Sequence, residues 1–187
     1  MSNKSVKVFN MSFISLLLLL TGILFSACSK AEVEDPNVAV IEKVLKLQFN
    51  SPDKKMMDLL LNPNYTNIVD GNEVNVEFDQ YIAGVYGDYF TESYLTPFIQ
   101  TWGLIYPTSV DFSGFELDLK EVVVKRLDAD FNRYKFTATV GYVKDREKEK
   151  TANVSGVVLV SAKEKGGIGK FEYDEDEGLS KELSLGE

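Results

Sequence analysis

Leu117–Leu127 (LDLKEVVVKRL) and Tyr134–Tyr142 (YKFTATVGY) decide the fold. In the second stretch Tyr134, Phe136, Ala138, Val140 and Tyr142 alternate with Lys135, Thr137 and Thr139. Side chains on a strand point alternately to opposite faces, so this period of two predicts one buried and one solvated face. Asp128–Asn132 is a polar turn between the two strands. Downstream, Lys144–Lys150 (KDREKEK) reads as a solvated hairpin tip, and Val154, Gly156, Val158 and Val160 mark a third strand. Lys163–Gly167 is a further turn and Ile168–Tyr173 a fourth strand. Four strands in hairpin succession predict an antiparallel meander with one buried face. Thr137, Thr139, Thr151 and Ser155 fall on the other face.

Upstream of residue 110 the apolar spacing is helical. Asp35-Pro36 combines an N-cap with proline at the first helical position, and Val38, Ile41, Val44, Leu45, Gln48 and Phe49 follow at helical intervals. Ser51-Pro52-Asp53 repeats the start signal, with Met56, Met57, Leu60 and Leu61 expected on one face before Asn62-Pro63. Asn62–Asn75 reads as a loop with a turn at Asp70-Gly71. Phe78, Tyr81, Ile82, Val85, Tyr86, Tyr89 and Phe90 form the stripe of a third helix. Gly84 and Gly87 lie off that stripe, which suggests close packing there. Thr91 starts a further short helix and Thr96-Pro97 offers another start leading to Trp102, with Gly103 and Pro107 ending the segment. The expected class is α+β: N-terminal helices packed on a curved antiparallel four-stranded meander.

The composition removes much chemistry. The chain has 187 residues, no histidine and one cysteine. Histidine-dependent nucleophile pairs and the usual His/Cys zinc sites are excluded, and one cysteine forms no internal disulfide. Acidic residues number 29 against 20 basic ones, a net charge of −9, which is the wrong sign for a nucleic-acid surface. No cofactor is expected.

The single cysteine is the most specific feature. Lys4 and Lys7 precede an apolar stretch from Met11 to Phe25, too short to span a bilayer but suited to a signal-peptide core. It ends in Leu24-Phe25-Ser26-Ala27-Cys28, which resembles the lipobox of bacterial lipoproteins of Gram-positive type. That resemblance implies a diacylglycerol thioether on Cys28 and cleavage before it. The implied organisation is a signal peptide over 1–27, a tether over 28–35 and a single domain over 36–187. It places the protein on the outer face of the cell membrane, held by lipid. Residues 1–27 hold two lysines and no acidic residue, so their removal takes the net charge to −11. Charge then holds the domain off an anionic surface while the lipid tethers it.

Helices followed by a long meander, with Tyr89-Phe90-Thr91-Glu92 before the mid-domain helix and Phe171-Glu172-Tyr173 in the closing strand, resemble the NTF2-like, or cystatin-like, α+β cone. That resemblance implies a sheet wrapped around the first helix with a pocket at its wide end.

Aromatic residues recur every fourth position at Tyr86, Phe90, Tyr94, Phe98, Trp102 and Tyr106. Rings with polar tips suit an amphipathic ligand pocket, and Tyr86, Tyr94, Trp102 and Tyr106 are the candidates; Phe90 and Phe98 read as core. Other constellations fall short. Asp128, Asp130 and Asn132 match three positions of an EF-hand loop, but Arg133 stands where the bend needs glycine and Thr139 where a bidentate glutamate belongs. Asp174–Glu177 is a solvated run of four carboxylates rather than a metal cage, and Gly166-Gly167-x-Gly169 lies between strands rather than before a helix. No catalytic residue and no metal ligand is singled out. The leading expectation is a non-catalytic module that binds a small molecule or an envelope protein. The alternatives are a carboxylate-dependent hydrolase of cell-wall or carbohydrate material and a homodimer formed through the exposed sheet face.

Overall fold

Asp35 caps the first helix as its sequence predicts: in the computed structural model, its carboxylate accepts the Asn37 N–H at 3.0 Å at the start of α1 (Pro36–Phe49). Residues 35–128, 131–164 and 166–184 are described. Cys28 and the segments 1–27 and 28–34 lie outside them, as does Asp130. Ile41, Val44, Leu45, Gln48 and Phe49 of α1 are buried. At the second start, proline precedes the cap rather than following it. Asp53 is the N-cap, accepting the Met56 N–H at 3.0 Å, and α2 spans Lys54–Leu61. Met56, Met57 and Leu59 are its buried residues, whereas Leu61, expected on the same face, is exposed. Successive residues lie about a quarter turn apart around the axis, so Leu61 falls clear of the side of α2 that packs against the core.

The stretch expected to be a loop contains a short hairpin. Strands β1 (Asn67–Val69) and β2 (Asn72–Val74) pair antiparallel across Asp70-Gly71. Both turn residues have positive φ, 51° and 82°, the conformation that Asp-Gly adopts readily in a two-residue hairpin. Helix α3 (Val76–Tyr86) follows, capped by Asn75, and buries Ile82 and Tyr86. The close packing expected at Gly84 and Gly87 is not found: a Cβ at either would meet no heavy atom within 4 Å. Both face away from the apolar stripe, toward open space.

Between residues 92 and 113 the backbone stays helical through three connected pieces. Helix α4 (Glu92–Phe98) passes into a π-helical turn (Ile99–Gly103), and α5 (Ile105–Ser113) follows. The expectation that Gly103 and Pro107 end the segment is thereby corrected. Pro107 lies in the first turn of α5, where a missing N–H removes no helical hydrogen bond, and Gly114 at φ 73° terminates it.

The meander is β3 (Phe115–Asp128), β4 (Arg133–Lys144), β5 (Lys150–Val160) and β6 (Ile168–Glu175), antiparallel in the order β3-β4-β5-β6. Its inner face carries Leu117, Tyr134, Phe136, Ala138, Val140, Val154, Val158 and Phe171, all buried against the helices. Register shifts fall at two points in each of β3 and β6: Lys120 and Leu127 are the extra residues of β3, and Gly169 and Asp174 those of β6, where Tyr173 and Glu175 face Gly156 and Ser155. Such bulges bend a sheet and re-aim side chains. Helix α4 guards the edge strand β6. Tyr94 Oη donates to the Phe171 carbonyl and accepts its N–H, both at 3.0 Å, and the Thr91 N–H donates to Ile168 O. After β6 a short helix not foreseen from sequence, α6 (Leu179–Ser184), buries Leu179 and Leu183. Among the described residues no helix is long and apolar enough to cross a membrane.

Candidate functional site

The aromatic stretch reaches its site through one buried amide. Gln48 on α1 is fully buried, and its Nε2 donates to Tyr86 Oη at 2.9 Å and to the Gly103 carbonyl at 3.3 Å. Its Oε1 accepts from Tyr173 Oη at 3.3 Å. Gly103 O is available because the residue four positions on, whose N–H it would accept in a helical ladder, is Pro107, which has none. Gln48 thereby ties α1, α3, the π turn and β6 together in the low-dielectric interior, where an unpaired amide would be costly.

Beside this link lies a cleft of about 260 Å³. One wall consists of Trp102, Ile105, Tyr106 and Tyr173. Trp102 and Tyr173 meet edge to face at 5.8 Å, and Tyr106 and Tyr173 do so at 5.3 Å. The opposite rim is Asp174, Glu175 and Asp176, with Ser180 at its end. Asp174 is the extra residue of a β6 bulge, and the ladder resumes at Glu175, which faces Ser155.

One carboxylate on this rim, Asp176, is held toward its ionised form. Burial pushes the Asp176 carboxyl up, but hydrogen bonds from Ser180, from the Gly178 N–H and from the Tyr106 hydroxyl outweigh it, and the net shift is downward. Its oxygens accept the Gly178 and Ser180 N–H groups, both at 2.9 Å, and the Tyr106 hydroxyl at 3.4 Å. The tyrosines move the other way. Burial, then the negative charge of Asp176, raises Tyr106; burial above all raises Tyr173 and Tyr86. All three hydroxyls are therefore neutral at any pH below about 10; Tyr106 and Tyr173 donate, whereas Tyr86 accepts from Gln48. None of the side chains lining the cleft is basic.

The four candidate pocket residues divide. Trp102 and Tyr106 share the cleft. Tyr86 is core and reaches the site only through Gln48, and Tyr94 is committed to the β6 backbone. Sequence reading passed over Tyr173, Gln48 and Asp176 as site residues. Tyr173 had a usable signal, being the last inward position of an alternating strand; a glutamine on an apolar helical stripe carries none. The acidic run supplies a helix cap and a cleft rim, and among the described residues no three acidic, histidine or cysteine side chains converge as metal ligands.

A larger concavity of about 450 Å³ lies on the outer sheet face, between Phe131, Arg133, Val157, Leu159 and Lys170. Phe131 is 73% exposed there, and Val123 and Leu127 are also exposed. No protein-family model, no curated protein and no solved structure matches the chain.

Proposed function

We propose that this chain is a lipoprotein anchored to the outer face of the cell membrane through Cys28, and that its domain is a non-catalytic module binding a small molecule. The observation that carries the binding reading is the cleft itself: half-buried Trp102 and Tyr173 form an aromatic wall beside carboxylates at a sheet end. The state of Asp176 favours binding over hydrolysis. A general acid needs its proton near neutral pH, and this carboxyl is driven toward ionisation. The helix-then-meander order supports likeness to the NTF2-like cone. A second reading, an envelope protein or a second copy seated on the outer sheet face, is favoured by exposed Phe131, Leu127 and Val123.

Two measurements test the proposal. In NMR titrations against a library of small amphipathic molecules, the Trp102 indole N–H resonance is expected to shift with at least one compound class. If every shift falls on Phe131 and Leu127, the cleft reading is wrong. For the anchor, Cys28→Ala is expected to accumulate as unprocessed precursor without incorporated fatty acid. A variant that matures and stays membrane-bound as the parent does would overturn lipidation.

A further inference from the structure

Resting on the reading of this cleft as a ligand site, we infer that its ligand is a small organic ammonium ion. Two features of different origin converge on that chemistry. Aromatic rings attract cations through their negative faces, most strongly tryptophan. Half-buried Trp102 and Tyr173 bring two rings to one small volume, with the buried Tyr106 ring packed edge to face against Tyr173. Facing them, Asp174, Glu175 and Asp176 supply negative charge that no lining lysine or arginine offsets. Asp176 has its oxygens engaged by Gly178, Ser180 and Tyr106, so it contributes a fixed field, while Asp174 and Glu175 are exposed at the mouth. An anion would meet repulsion on this rim, and a purely apolar molecule would leave the carboxylates desolvated without a partner. A volume of about 260 Å³ suits a headgroup-sized cation rather than an oligosaccharide or a folded peptide.

The test uses the full chain, purified with its anchor in a non-ionic detergent. Choline is the probe, and the control is its neutral carbon isostere, in which a tert-butyl group replaces the trimethylammonium. Trp102 is the only tryptophan, so its emission reports the site directly. Choline is expected to bind about tenfold or more tighter than the isostere, as a cation between rings and carboxylates should. The double variant Asp174→Asn, Glu175→Gln removes two exposed charges while keeping the Asp176 cap, and is expected to erase most of that difference; Trp102→Ala, followed by calorimetry, is expected to abolish binding. Equal affinity for choline and its isostere would overturn the ammonium assignment while leaving the cleft a ligand site. Binding of neither would sink both readings. Reconstitution into phosphatidylglycerol and into phosphatidylcholine bilayers separates two sources of the ammonium. A response to free choline in both points to a soluble molecule, whereas an emission shift produced by phosphatidylcholine itself points to a lipid headgroup.

Discussion

Replacing Phe171 with alanine is expected to lower the stability of the domain by about 3–5 kcal/mol, the cost of deleting a fully buried ring. Phe171 is inaccessible to solvent and lies at the junction of both layers. Its ring meets Phe98 of α4 edge to face at 5.3 Å, stacks on Phe136 of β4 at 5.3 Å and meets Tyr173 at 5.1 Å. Its backbone also holds the Tyr94 hydroxyl in both directions. The vacated space cannot collapse readily, because its neighbours are rings fixed by other rings. Since a domain of this size is stable by roughly 5–15 kcal/mol, the loss would be a large part of the total. Urea unfolding followed by circular dichroism measures it, and a loss below about 1 kcal/mol would show that the ring cluster is more yielding than its geometry indicates.

Gly156→Ala should destabilise by about 3 kcal/mol, the upper part of the range for overpacked cores. Gly156 sits mid-strand in β5, paired with Phe136 on one side and Tyr173 on the other. A methyl group there would collide with the Glu172 carbonyl oxygen and approach Phe136 Cζ to 2.5 Å. A ring can swing away, but a ladder carbonyl moves only with its strand. Shrinking the ring in the background of the clash, with Phe136→Leu, is therefore expected to restore only a part of the loss. Full additivity of the two substitutions in chemical denaturation would mean that the ring and the glycine are not in contact.

The two positions differ in how far their roles could be read from residues alone. Phe171 stands in an apolar alternation and Tyr134–Tyr142 repeats it, so the meander and its inward residues follow from the pleat, whose period of two is intrinsic to a strand. Pro107 is compatible with either outcome, because proline ends a helix in its interior and fits one in its first turn. Which case applies depends on where the helix starts, and the π turn before it leaves no trace in composition. The aromatic interval of four residues was legible as a helical face. It could not say that the face ends in the core at Tyr86, on a strand edge at Tyr94 and in a cleft at Trp102, because each outcome depends on what packs opposite.

The sequence by itself determined the local chemistry of this protein: the cap at Asp35, alternation through β4, the absence of histidine, and a lone cysteine after an apolar run. Those are properties of neighbours along the chain. Only the tertiary structure brought Gln48, Tyr173 and Asp176 to the Trp102–Tyr106 segment, with Gln48 and Tyr173 bonded across a separation of 125 positions. That juxtaposition arises because a buried amide must find hydrogen-bond partners and a bulged strand end must be capped, and both demands are met by whichever groups the packed layers bring within reach.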